Sequence, residues 1–192
     1  GHVEPAEITE MAHEARPGAG GLTFLPYLSP AGERAPFLDA NARASLFGLS
    51  LEHSRVHIAR AILEGLSFVI RECFEASQVA PTELNVCGGG AVSDLWCQII
   101  ADVTRLPVRT TTVAEVGARG ALFVGLEATG MEKSIEEIVG KYVHTRKLYE
   151  PRSSTIDLYE NMYHNFLEVR DNAARIWSRE AEAREHLLAH SE

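Results

Sequence analysis

ASLFGLSLEHSRVHIARAILE, residues 44–64, passes from strand-like to helical spacing within one stretch. Residues 44–49 form a short apolar run that reads as a strand. Ser54 then offers a hydroxyl to cap a helix that is predicted to reach about residue 77. His57, Arg60, Glu64, Arg71 and Glu75 recur at helical spacing as one polar stripe, and Ile58, Ile62, Leu66, Val69 and Cys73 lie on another face. A single narrow polar stripe marks a largely buried helix. Gly65 sits in its middle, where glycine costs about 1 kcal/mol against alanine. Its presence predicts close packing against a neighbouring element.

On the N-terminal side, residues 7–15 have helical character, and Gly18-Ala19-Gly20-Gly21 reads as a hinge or turn. Residues 22–28 alternate and are rich in strand formers. Residues 29–36 hold two prolines and a glycine, which exclude helix or central strand. On the C-terminal side, residues 83–87 read as a strand and Gly88-Gly89-Gly90 as a turn. A helix capped by Ser93 or Asp94 runs to about residue 104, and residues 107–111 form the next strand. Residues 115–128 make a helix rich in glycine and alanine, able to approach a sheet closely, and Gly130 ends it. Residues 134–141 are a short helix and 143–149 are extended. From Ser154, with Asp157 completing a capping box, a long helix carries Tyr159, Met162, Tyr163, Phe166, Val169, Ala173 and Trp177 as a packing stripe. Fraying is expected beyond Arg179, where the chain is charged. Strands grouped early, then strands alternating with helices, predict an α/β fold: a sheet with helices on its faces.

A net charge of -9 opposes general binding to a phosphate backbone, so nucleic acid is excluded as a partner. It does not oppose a nucleotide held by local backbone donors. No run of 18 apolar residues offers a membrane span. Cys73, Cys87 and Cys97 form no CxxC pair and no metal spacing. Cys73 and Cys87 are expected as reduced core residues of a cytoplasmic protein. The start, Gly1-His2 with no initiator methionine, reads as an internal cut or an appended scar.

The sharpest local run is Val86-Cys87-Gly88-Gly89-Gly90-Ala91-Val92-Ser93-Asp94. Glycines let a flat ligand approach the backbone, and a helix start supplies free N–H donors. Asp94 can accept from a nucleotide's amino group or ribose hydroxyl. The alternative is a structural turn with Asp94 as an ordinary N-cap. Arg34, in Gly32-Glu33-Arg34-Ala35-Pro36, is a second candidate as a cleft loop clamping a phosphate or carboxylate; its alternative is a solvated or locally paired loop charge. Glu115 fits a structural place before a helix. His53 and His57 stand one turn apart without a third ligand and read as a solvated helix start. Neither HExxH nor GxSxG occurs.

Taken together, these pieces resemble the FGGY carbohydrate kinases. Ala44, Leu46, Gly48, Leu49, His57, Ile58, Ala61, Ile62, Leu63 and Glu64 meet every position of that family's long C-terminal signature. Leu25-Pro26-Tyr27-Leu28, the Gly32–Pro36 loop, Asn41-Ala42-Arg43, and Gly88-Gly89-Gly90-Ala91 with Leu95, Trp96 and Gln98 are further family-like stretches. The likeness extends from about residue 21 to about residue 163.

The resemblance implies an actin-like, ribonuclease H-like ATPase domain with a mixed sheet flanked by helices. Residues 1–20 would lead in from an N-terminal half, 21–152 would form the nucleotide-binding domain, and 153–192 a long helix packed on it with a frayed tail. Implied ligands are ATP and Mg²⁺ with a small sugar or polyol; the implied partners are the N-terminal domain and a homodimer mate. Nucleotide contacts carry over to Gly88, Gly89, Gly90, Ala91 and Asp94, chiefly Gly90 and Asp94. Aspartate stands at 94 where glycerol kinase relatives carry asparagine. Gly48 and Glu64 are assigned to packing. The family's catalytic aspartate, sugar-binding residues and phosphate hairpin have no counterpart in these residues, so no catalytic residue is assigned and the chain alone is expected to be inactive. The Ser29-Pro30-Ala31 insertion is similar to polyol and pentulose members, which favours a ketopentose such as xylulose over erythritol and gluconate. Two alternatives stand beside this reading: a non-catalytic nucleotide-binding or interaction module, and an actin-like assembly protein.

Overall fold

The computed structural model describes residues 4–111 and 115–189. They divide into two units, Gly1–Ala80 with Arg152–Glu192, and Pro81–Pro151. In chain order the first unit contributes helix α1 (Pro5–Glu14), strands β1 (Thr23–Leu25) and β2 (Ser45–Phe47), and helix α2 (Arg55–Ser77). The second contains β3 (Leu84–Val86), α3 (Asp94–Thr104), β4 (Val108–Thr111), α4 (Val116–Ala128), α5 (Ile135–Tyr142) and β5 (Thr145–Tyr149). The chain then returns to the first unit through a 3-10 turn (Ser153–Thr155) and α6 (Ile156–Ala189).

In the first unit α2 is the central element. Ser54 and His57 form a reciprocal capping box at its start. Ala59, Ala61, Leu63 and Phe68 are buried along it. A Cβ on Gly65 would stand 2.3 Å from the Phe24 carbonyl oxygen, so glycine here lets the β1 backbone lie directly on the helix. β1 pairs antiparallel with β2, Phe24 opposite Leu46. β1 is shorter than the predicted 22–28 run because Pro26 has no N–H, and Leu28 N turns back to the Pro26 carbonyl at 2.8 Å. The α6 stripe packs as its spacing predicts: Tyr159, Tyr163 and Phe166 are buried around Phe68, with ring centroids 5.5–6.3 Å away. Farther along, Trp177 meets Tyr27 edge-on at 5.6 Å and stacks with Phe37 at 6.0 Å.

The middle of the polar stripe of α2 is buried. Arg60 and Glu64 are only 3% and 1% exposed. Arg60 Nε donates to Glu64 Oε1 at 2.8 Å, Tyr159 Oη donates to the same oxygen at 2.9 Å, and the Gly18 N–H joins them at 3.0 Å. Burial acts to lower the Arg60 pKa, but Tyr159 and Glu64 beside it raise it further above its ordinary value. Arg71 bridges Glu75 and Glu160. Entry into α6 also differs from the predicted Ser154–Asp157 box. Arg152 is the N-cap of the 3-10 turn, and Thr155 Oγ1 donates to its carbonyl at 3.0 Å. α6 continues past Arg179 to Ala189 because this segment is dense in Ala, Glu, Arg and Leu, which favour helix.

The second unit is built on a mixed sheet of order β3-β4-β5, β3 parallel and β5 antiparallel to β4. β5 carries an extra residue: Thr110 faces Lys147 while Thr111 faces Thr145, which leaves Arg146 unopposed as a β-bulge. α3 packs on β4 and β5, burying Cys97, Ile100, Ala101 and Val103 with Val108 and Tyr149. Two expectations fail here. Cys87 is exposed, because it lies beyond Val86, the last paired residue of β3; the buried cysteine is Cys97 and Cys73 is half-buried. The small face of α4 approaches no sheet among the described residues. Added Cβ atoms at Gly117, Gly120 and Gly125 would meet nothing within 4 Å, and only Phe123 is buried, against α5.

Candidate functional site

The glycine run lies between the end of β3 and the start of α3. Gly88 has φ +85 and ψ -168, a region open essentially to glycine alone. Gly89–Val92 then forms one 3-10 turn, with the Ala91 N–H on the Gly88 carbonyl (3.1 Å) and Ser93 N–H on Gly90 (3.2 Å). Ser93 caps α3, its hydroxyl accepting from the Trp96 N–H at 3.1 Å. The structure thus gathers Gly88, Gly89, Gly90, Ala91 and Asp94 at one strand–turn–helix junction.

Within the turn the three glycines differ. Among the described residues, nothing lies within 4 Å of a Cβ added at Gly88 or Gly89. At Gly90 that Cβ would stand 2.2 Å from Trp96 Cζ3. Gly90 therefore makes room for the indole, and open backbone is offered by Gly88 and Gly89. Ala91 is buried.

Asp94 is the first residue of α3, and its carboxylate is engaged. Oδ1 accepts from Arg146 Nη2 and from Tyr149 Oη (2.6 Å), and Oδ2 accepts from Lys147 Nζ at 2.7 Å. The bonds from Lys147 and Tyr149 hold the Asp94 pKa at about 2. Burial, then the bond to Asp94, pushes Tyr149 up to about 12. Adjacent strand residues normally point to opposite faces. The bulge at Arg146 breaks that alternation and lets Arg146 and Lys147 reach one carboxylate. Lys147 Nζ also lies 4.8 Å from the centroid of the Tyr149 ring. Sequence reading assigns residues 143–149 only an extended backbone; alternation cannot signal two neighbouring cations on one side.

Arg34 belongs to the first unit, the turn and Asp94 to the second. It lies exposed on the loop between β1 and β2, its N–H bonded to Glu33 Oε1 at 2.7 Å. The loop is shaped by Arg43, which donates to the carbonyls of Pro30, Ala40 and Ala42. His53 and His57 are not a solvated pair: both are half-buried, and their rings meet edge-on at 5.5 Å. His53 Nδ1 lies 3.0 Å from the Ser50 N–H and Nε2 lies 3.1 Å from the Gly20 carbonyl. His53 ties the Gly20 carbonyl to the start of α2, and the His57 ring lies close to Gly20.

No group of three or more His, Cys, Asp or Glu among the described residues could hold a metal ion. No helix among the described residues is long and apolar enough to cross a membrane.

Comparison with known proteins places this geometry. A family model described as the FGGY family of carbohydrate kinases, C-terminal domain, matches residues 4–129. A xylulose kinase of Staphylococcus epidermidis is 34% identical over 160 residues, 82% of this chain and 32% of that protein. An erythritol kinase of Brucella abortus is 31% identical over 174 residues, 90% of this chain and 33% of that protein. The ligand-bound crystal structure of a xylulose kinase from Lactobacillus acidophilus superposes with a TM-score of 0.80 at 30% identity, covering 92% of this chain and 36% of that one. The chain thus spans about a third of the length of the curated relatives it matches. Its fold is the expected one, an α/β actin-like ATPase domain with a mixed sheet.

Proposed function

The chain belongs to the FGGY family of carbohydrate kinases, and from that premise we propose that it supplies the nucleotide side of an ATP-dependent kinase acting on a sugar or polyol. The observation that carries this reading is the open backbone at Gly88 and Gly89, set directly before the N-terminus of α3. Bare glycine backbone admits a flat base or ribose, and the helix start supplies donors. In the whole enzyme the γ-phosphate of ATP passes to a sugar hydroxyl. That step depends on positioning, charge neutralisation and an oriented nucleophile. No general base or phosphate clamp is assigned among the residues of this chain, so we assign it binding and not turnover. A pentulose such as xylulose is our substrate of choice, supported by the xylulose kinases among its relatives.

The test measures ADP release by this chain and by a longer form carrying an N-terminal half, over xylulose, erythritol and gluconate. The expected result is turnover by the longer form, highest with xylulose, and none by the 192-residue chain. Turnover by the chain alone would overturn its incompleteness. A longer form that binds ATP but transfers no phosphate to any acceptor would support a non-catalytic nucleotide-binding module instead.

A further inference from the structure

Recognition of adenine by an acidic residue at the turn requires a free acceptor, because the 6-amino group of adenine is a donor. Asp94 has most of its acceptor capacity taken: three donors occupy three of about four lone-pair sites, and Oδ2 keeps one. Oδ1 carries Arg146 and Tyr149, and Oδ2 carries Lys147. What the cluster offers beside the turn is donors. An ammonium has three N–H donors and a guanidinium five, and neither accepts. Lys147 gives Asp94 one bond, and Arg146 uses Nη2 on Asp94 and on Tyr149 Oη. Both cations are partly exposed, Arg146 at 38% and Lys147 at 48%. A donor surface does not select a 6-amino purine. It is at least as compatible with a 6-oxo purine, whose oxygen accepts.

The arrangement is held from below. Tyr149 is buried, its hydroxyl is fixed on Asp94 Oδ1, and its ring lies near Lys147. The bulge at Arg146 puts both cations on one carboxylate. Any one exposed ion pair is weak. Three donors converging on one carboxylate, one of them from a buried tyrosine, fix the geometry better than a lone pair would.

We propose that the Asp94–Arg146–Lys147 cluster makes this nucleotide site tolerant at the purine 6-position, so that inosine and guanosine triphosphates bind alongside ATP. The inference rests on the reading that a purine nucleotide lies at the Gly88–Gly89 turn. Arg146 and Lys147 are then specificity-determining residues, acting by taking most of the acceptor capacity that would otherwise select adenine.

The test is calorimetric titration of the chain with ATP and with inosine triphosphate, which differ only at the purine 6-position and its adjoining ring nitrogen. The wild-type chain should bind the two within about 3-fold of one another. Arg146→Met with Lys147→Met leaves only Tyr149 on Asp94, and the freed carboxylate should then favour ATP by about tenfold, the worth of one hydrogen bond to a charged acceptor. Lys147→Met alone frees Oδ2 while Arg146 and Tyr149 stay on Oδ1; it should shift the ratio the same way and serves if the double variant does not fold. A wild-type preference for ATP above about 30-fold would overturn the inference, as would an unchanged ratio in folded variants. Failure of the wild-type chain to bind either triphosphate would instead overturn the nucleotide reading of the turn, and this inference with it.

Discussion

Arg60→Met should destabilise the first unit far more than loss of a surface ion pair would. Arg60 and Glu64 are 3% and 1% exposed. Glu64 Oε1 takes three donors, from Arg60, Tyr159 and Gly18, while Oε2 has no hydrogen-bond partner among the described residues. Removing the guanidinium leaves a buried carboxylate without its counter-charge, and such losses cost about 3–5 kcal/mol. At about 2–4 °C per kcal/mol for a chain of this size, Tm should fall by roughly 6–20 °C. Removing both charges is cheaper. Arg60→Met with Glu64→Leu leaves no stranded ion but strands the Gly18 N–H and the buried Tyr159 hydroxyl, so the double variant should lose less than the single one. Thermal and urea unfolding followed by circular dichroism measure each term. A cost below about 1 kcal/mol for Arg60→Met would refute the reasoning, as would a double variant less stable than the single one.

Other perturbations separate packing from function. Gly65→Ala gains helix propensity but drives a Cβ to 2.3 Å from the Phe24 carbonyl; a net loss of about 1–3 kcal/mol is expected, and a variant as stable as wild type by urea unfolding would contradict the close approach. Gly89→Val adds bulk over open backbone, so it should leave the melting curve nearly unchanged and weaken ATP binding by at least about tenfold. Gly90→Val meets the Trp96 ring, so it should lower Tm, which makes it the poorer probe of ligand approach. Asp94 has a depressed folded-state pKa of about 2, so its contribution is present above the unfolded value near 4 and is lost as pH falls through about 2. Its carboxylate is 52% exposed, so solvent screening reduces that contribution to about 1 kcal/mol. Asp94→Asn should lose this margin at pH 7 and nearly match wild type at pH 2, as read from urea midpoints.

Features set by local spacing were legible in the sequence. Ser54 and the apolar recurrence that follows place α2 at Arg55–Ser77, and Gly65 announces close packing that the Phe24 carbonyl then explains. The Tyr159–Trp177 stripe needs only its period to be read as core. Features set by distant partners were not legible. Arg60 and Glu64 look like a polar edge until α6 brings Tyr159 against them, 95 residues after Glu64. Three consecutive glycines look alike in a string of letters. Only the position of Trp96 shows that Gly90 is filled and that Gly88 and Gly89 are open.

The same distinction governs what Asp94 does. As a letter at a helix start it offers an acceptor, and an acceptor beside a glycine turn points to an amino group on a base. The partners that consume it come from β5, more than 50 residues later, and reach it through a bulge that no alternation pattern encodes. A carboxylate with pKa near 2 and three donors on it contributes a fixed charge that orders cations. The chemistry shown to a ligand is therefore chiefly that of Arg146 and Lys147. If adenine selectivity rises when those two cations are removed, the cluster masks an acceptor. If it does not, Asp94 serves only to join α3 to β5, and the base is read elsewhere.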